Sequence, residues 1–190
     1  MKEDKIIYFE KPGPKNTSEV LKFAATRAKE LNAKKIVVAS STGRTALAAK
    51  QAFDSEAQIN AVTLVTGFSE PNDQWLDNDT RSELESQDIK VLTCQHAFAG
   101  VGRAARRKFN TYQLEEMIAN CLRIFGHGTK VAIEISLMAA DAGLVRTDED
   151  IIAIGGSGKG ADTALLLQPA NSFDFFDIKI KEIICKPKNI

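Results

Sequence analysis

Two histidines, three cysteines and one tryptophan leave this 190-residue chain poor in the residues that usually carry metal or redox chemistry. Cys94, Cys121 and Cys185 are far apart, odd in number and form no Cys-x-x-Cys pair. Neither a disulfide framework nor a metal site is supported, and three reduced thiols of a cytoplasmic protein are the plain expectation. An excess of either charge is also missing: 25 basic and 25 acidic residues give a formal net charge of zero. A nucleic-acid binder that neutralises phosphates shows a basic surplus, so that partner class is set aside. No stretch approaches the roughly 20 apolar residues of a membrane helix. The charged start, Met1 to Lys5, and the short apolar run Ile6 to Phe9 do not have the form of a signal peptide. Internal repeats, low-complexity tracts and linkers are absent too. Residues 1–190 therefore read as a single domain, long enough to bury a sizeable core.

What is present alternates between strand and helix patterns. Lys5 to Phe9 reads as a strand ending at the turn Lys11-Pro12-Gly13-Pro14-Lys15. Asn16 and Glu19 have the spacing of a capping box ahead of the helical pattern Val20, Leu21, Ala24, Ala28, Leu31. Ile36-Val37-Val38-Ala39 is the wholly apolar run of a strand buried on both faces. An Ala-rich helix follows over 46–53, then a strand over 59–63, a polar helix over 79–87 and a strand over 90–94. Leu114, Met117, Ile118, Cys121, Leu122 and Phe125 fall at i, i+3, i+4, i+7 spacing, the stripe of an amphipathic helix. A largely buried helix is expected over 129–142, and strands over 151–154, 163–168 and 178–185. This order predicts an α/β fold: a three-layer α/β/α domain with a mainly parallel central sheet and an antiparallel C-terminal edge.

Two loops stand out. Ser40, Ser41, Thr42, Gly43, Arg44 and Thr45 lie where a buried strand hands over to a helix. The first amides of a helix lack intrahelical partners and its dipole is positive there, so the position suits an anion. Hydroxyls, a glycine and a guanidinium add donors, although Ser and Thr also belong at ordinary helix caps. The second loop, Gly155-Gly156-Ser157-Gly158-Lys159-Gly160, departs from a Walker A motif because Gly160 follows Lys159. It suits either an amide nest around an anion or a tight hairpin. Gly100-Val101-Gly102-Arg103-Ala104-Ala105 matches a dinucleotide pattern formally but reads as a helix entry. Arg103, Arg106, Arg107 and Lys108 read as a solvated helix face.

Taken together, these residues resemble the C-terminal α/β domain of pyruvate kinase. Ile36 to Ala46 is similar to its strand and Ser-Gly-Arg-Ser/Thr-Ala phosphate loop. Ile59 to Thr63 is similar to its Ile-x-Ala-Val-Thr strand, and Asp150 to Gly156 to the strand that leads into its second ligand loop. The catalytic barrel has no counterpart in these residues, so pyruvate kinase activity is not expected. The closer resemblance is to a stand-alone family built from that domain, with stretches like Glu134 to Gly143 and Gly160 to Ala164. That resemblance implies a phosphate-tailed ligand, flavin mononucleotide (FMN) first and a sugar phosphate second. The phosphate is then held by 40–45 and by Gly156, Ser157, Gly158, Lys159 and Gly160. Residues 75–84 and 171–190 depart from the pyruvate kinase pattern.

Thr63, His96, Phe98 and Glu134 are the candidates for contacting the rest of the ligand. His96 offers a hydrogen bond or proton and Phe98 a stacking ring, against the plainer reading of a surface His beside a core Phe. Glu134 and Asp141, seven apart on an apolar helix, need partners if buried: a ligand group, a loop amide or an arginine such as Arg103. His127, between two glycines after a helix, reads as a C-cap. Three functions stay open: a ligand-binding or sensor protein, a flavin-dependent oxidoreductase, and a homo-oligomeric interaction module with a vestigial site.

Overall fold

A computed structural model describes residues 3–189. Met1, Lys2 and Ile190, which the single-domain expectation includes, lie outside the described residues. One seven-stranded sheet runs through the molecule in the order β1-β7-β6-β5-β2-β3-β4. Its strands are β1 (Ile7–Phe9), β2 (Lys35–Ala39), β3 (Gln58–Val62), β4 (Lys90–Leu92), β5 (Ile151–Gly155), β6 (Thr163–Gln168) and β7 (Lys179–Pro187). Pairing is parallel except for β6, which runs antiparallel to β5 and β7. The antiparallel pairing is thus confined to the C-terminal strands, as their close spacing in sequence implies.

The strand residues explain the layering. Along β2, Ile36 and Val38 face one side and Val37 the other, and all three are fully buried. Each such side chain contributes roughly 1.5–3 kcal/mol when taken from water. On the first face, Ile36, Val38, Ile152 and Ile154 pack against α1 (Thr17–Leu31), α2 (Arg44–Ala52) and α3 (Asn78–Ser86). On the second, Val37, Ile151, Ala153 and Leu165 meet α5 (Leu114–Arg123) and α6 (His127–Asp141). A helix α4 (Gly100–Phe109) precedes α5, so the Gly100 segment is a helix entry. The chain leaves β2 through α2 toward β3, whereas β5 is reached through α6 on the opposite face. The gap between neighbouring β2 and β5 is therefore the topological switch point, where open α/β sheets bind ligands.

Three local expectations need correction. The Asn16 capping box does not form: a 3₁₀ turn over Pro14–Asn16 puts Asn16 in helical conformation, and its Nδ2 donates to Lys11 O at 2.8 Å instead. His127 is not a C-cap but the first residue of α6, set there by Gly126 at φ 118°, a backbone few other residues adopt. The stripe of α5 is only half covered: Ile118 and Leu122 pack against the second face of the core, whereas Leu114, Met117, Cys121 and Phe125 are exposed.

Candidate functional site

At the carboxyl end of the parallel strands lies a cavity of about 890 Å3. Its walls begin at the ends of β2, β3 and β5 and include first-turn residues of α1, α2 and α6. This convergence follows from the topology, since each of these helices starts where the chain turns back over the sheet.

The turn after β2 forms one wall through Ser40, Ser41, Thr42, Arg44 and Thr45. Ser40 is committed in part: it is buried and its Oγ accepts from the Ala46 amide, in the first turn of α2, at 3.1 Å. The next five amides, Ser41 to Thr45, make no hydrogen bond among the described residues. Nor does the Thr45 hydroxyl, while Arg44 donates only to Thr42 Oγ1, at 3.3 Å. Gly43 does not line the cavity. It sits at φ 83°, and a Cβ there would collide with Thr80, so its role is close packing against α3.

The loop between β5 and β6 is a hairpin connection, as one of its two sequence readings has it, and it also forms part of the cavity wall. Gly156, Gly158, Lys159 and Gly160 line the space; Ser157 does not. The organiser is Asp162, a fully buried carboxylate that sequence reasoning passed over. Its Oδ2 accepts from Gly13 N at 2.9 Å and Ser157 N at 3.0 Å, and its Oδ1 accepts from the Thr163 hydroxyl. Thr17 Oγ1 accepts from Ala161 N at 2.9 Å. Together they lash the loop to the start of α1. An aspartate directly after a glycine loop is the visible sign of such backbone tethering.

The far wall mixes rings and charge. His96 Nε2 accepts from Val65 N at 3.3 Å, and its ring lies 5.6 Å from that of Phe68, which meets Trp75 edge-on at 6.4 Å. The Arg103 guanidinium lies 5.7 Å from the Phe68 centroid with its buried Nε unpartnered among the described residues. Burial holds the His96 imidazole below its usual range, with Lys130 and Arg103 helping and Glu134 opposing. The accepted Val65 bond needs the same neutral ring. Thr63 lines the cavity, but its hydroxyl is engaged with Leu64 O and Thr93 Oγ1.

Glu134 also lines the cavity, buried beside Lys130, with which it forms an ion pair one helical turn away. Its Oε1 accepts from Phe98 N at 3.1 Å, so a loop amide and a lysine are its partners rather than Arg103. Burial depresses the Lys130 ammonium, and Glu134 opposes the shift. Asp141, by contrast, is exposed and accepts from Ser172 N at 2.9 Å. Phe98 is a core residue outside the cavity, edge-on to Phe175 at 5.7 Å, which removes it as a ring contact.

Arg103, Arg123, His127 and Lys130 are wall residues that sequence spacing did not single out as a site. They come from α4, α5 and α6, and only the tertiary fold brings them together. In all, five cationic side chains (Arg44, Arg103, Arg123, Lys130, Lys159) face one carboxylate, Glu134. Among the described residues Lys130 alone of the five has an acidic partner. A chain of zero net charge thus concentrates positive charge at one cavity, a field that attracts anions.

A family model described as pyruvate kinase, alpha/beta domain, matches residues 18–167. Among solved structures, the chain is similar to a pyruvate kinase from Cryptosporidium parvum at 15% identity and a TM-score of 0.44, covering 81% of this chain and 23% of that one. A structure of pyruvate kinase from the same organism in complex with ADP is similar at 17% identity, with a TM-score of 0.42 over 83% and 24%. NH3-dependent NAD synthetase from Campylobacter jejuni, in complex with the nitrate ion, is similar at 16% identity, with a TM-score of 0.37 over 76% and 56%. The chain spans about a quarter of the length of the pyruvate kinases it matches.

Proposed function

The chain belongs to the pyruvate kinase alpha/beta-domain family, and from that premise we propose that it holds a small phosphorylated ligand in the switch-point cavity, as a binding or sensor protein. FMN is the first candidate and a sugar phosphate the second. The observation that carries the reading is the run of amides from Ser41 to Thr45 at a helix start, which make no hydrogen bond among the described residues and of which all but that of Gly43 belong to cavity-wall residues. First-turn amides lack intrahelical acceptors, and a phosphate oxygen is the acceptor that this dipole and these cations favour.

FMN fits the remaining features. The turn 41–45 with Lys159 and the loop amides 158–160 would hold the phosphate. Phe68, Trp75 and His96, with the apolar Val62, Leu64 and Met138, would take a flat ring. The volume lies within the roughly 300–1,000 Å3 of small-molecule sites. Three free thiols agree with a cytoplasmic setting, and the small anion, rather than nucleic acid or membrane, is the partner proposed.

Calorimetric titration with FMN and with riboflavin, which lacks only the phosphate, tests this. Riboflavin is expected to bind at least ~100-fold more weakly, the loss of two or so charge-assisted hydrogen bonds. Equal affinities would remove the phosphate reading, and binding of a sugar phosphate alone would select the second candidate.

The Lys130–Glu134 pair and His96 on the same wall favour a second reading, a flavin-dependent oxidoreductase. FMN when bound supplies one- and two-electron redox chemistry. In that reading His96 orients a substrate and Lys130 exchanges a proton at Nζ. Steady-state turnover of a reductant by the loaded protein separates the enzyme from the sensor.

A further inference from the structure

The cations of the cavity fall into two groups on opposite faces of the sheet. Arg44 starts α2, and Lys159 sits in the loop that Asp162 and Thr17 tie to the start of α1, so both belong to the first face. Arg123 and Lys130 belong to α5 and α6, which cover the second face, and Arg103 to α4, joined to α5 by the Arg106–Glu116 ion pair at 2.7 Å. The cavity follows α6 along His127, Lys130, Val131, Glu134, Ile135 and Met138, about 16 Å of helix.

The second group is short of acceptors. Arg123 donates to Asn120 Oδ1 at 2.7 Å, and neither it nor Arg103 has an acidic partner among the described residues. The buried Arg103 Nε has no acceptor there at all, although buried polar atoms are normally hydrogen-bonded. Burial first, then Arg123 and Arg103, hold the Lys130 ammonium below its usual range, so both arginines bear on this wall. The donors here also differ from those after β2. Val65 N and Phe98 N are spent on His96 Nε2 and Glu134 Oε1, and the Thr63 and Thr129 hydroxyls on backbone carbonyls. The start of α6 already has its anion: Asp162 lies against Gly128, where a Cβ would strike its carboxylate. What this wall offers is two guanidinium forks together with the apolar Val131, Ile135 and Met138. Such forks match a planar carboxylate with two parallel hydrogen bonds.

We propose that Arg103 and Arg123 form a second anion subsite in this cavity, which takes the carboxylate of a small organic acid and sets its apolar body against Val131, Ile135 and Met138. It rests on the phosphate reading only for what fills the other end of the cavity.

NMR of the arginine Nε–Hε signals tests this on the free full chain, titrated with butyrate and, in parallel, with inorganic phosphate and with chloride at matched ionic strength. Butyrate is expected to shift the Arg103 and Arg123 signals saturably, with a dissociation constant on the order of 1–10 mM, and chloride to leave them in place. Arg103→Lys and Arg123→Lys keep the charge and lose the fork. Each is expected to weaken butyrate at least ~10-fold, read on the arginine that remains. If Arg103→Lys unfolds, Arg123→Lys decides alone. Butyrate that shifts neither arginine at about 50 mM, or binds the Lys variants as it binds the wild type, would overturn the inference. So would phosphate that moves the two arginines as tightly as butyrate does, which would make this wall a second phosphate site. The phosphate reading is judged on the main-chain signals of 41–45, so each of the two can fail while the other stands.

Discussion

Replacing Lys130 with Met is expected to cost the ligand-free fold about 3–5 kcal/mol, because it strands a buried carboxylate. Glu134 is 5% exposed, and without the ammonium its remaining hydrogen bond comes from Phe98 N. A charge left unpaired in a poorly solvated wall either stays at high cost or takes up a proton. Urea unfolding is the measurement, and the midpoint should fall with little change in slope. Adding Glu134→Gln to Lys130→Met should recover most of the loss, since the amide oxygen can still accept from Phe98 N. That recovery, seen in a double-mutant cycle, separates pairing from the mere loss of a long side chain. A loss below about 1 kcal/mol would mean that water reaches and screens the pair.

Arg44→Ala combined with Thr45→Ala is expected to weaken FMN binding by two to three decades, about 3–4 kcal/mol if each removes a charge-assisted hydrogen bond. Neither side chain carries much of the fold. Arg44 makes only a long contact to Thr42 Oγ1, and the Thr45 hydroxyl makes none among the described residues. Affinity should therefore fall while the unfolding midpoint of the free protein stays close to wild type. An affinity within about threefold of wild type would place the phosphate elsewhere, because a single neutral hydrogen bond is worth about that much.

How much of this could be read from the sequence depends on the range of the interaction involved. The buried strand Ile36 to Val38 and the alternation of its faces are local properties, and they appear where the pattern puts them. The hydroxyl-rich turn after it is local too, and it lies on the cavity wall with the exception of Gly43. Periodicity also found the α5 helix. It could not say which part of the stripe the core covers, because Ile118 and Leu122 pack inward while Leu114, Met117 and Phe125 stay exposed, a division set by the tertiary fold. His127 was misplaced because a single glycine, Gly126, separates two helices that spacing reads as one helix end. Arg103 reads as part of a solvated face because Arg106, Arg107 and Lys108 follow it, and nothing local marks Arg123, yet the tertiary fold brings both to the cavity. Asp162 has no periodic signature at all, since its role is to accept amides from residues as distant as Gly13.

The central claim is that main-chain donors after β2 form a pocket that prefers an anion. Amide NMR of the full chain during titration with inorganic phosphate, against a chloride control, tests it without naming the ligand. Saturable shifts should concentrate at Ser41 to Thr45 and at Gly158 to Gly160. Phosphate that leaves those amides unmoved, or moves only surface lysines, would contradict the account.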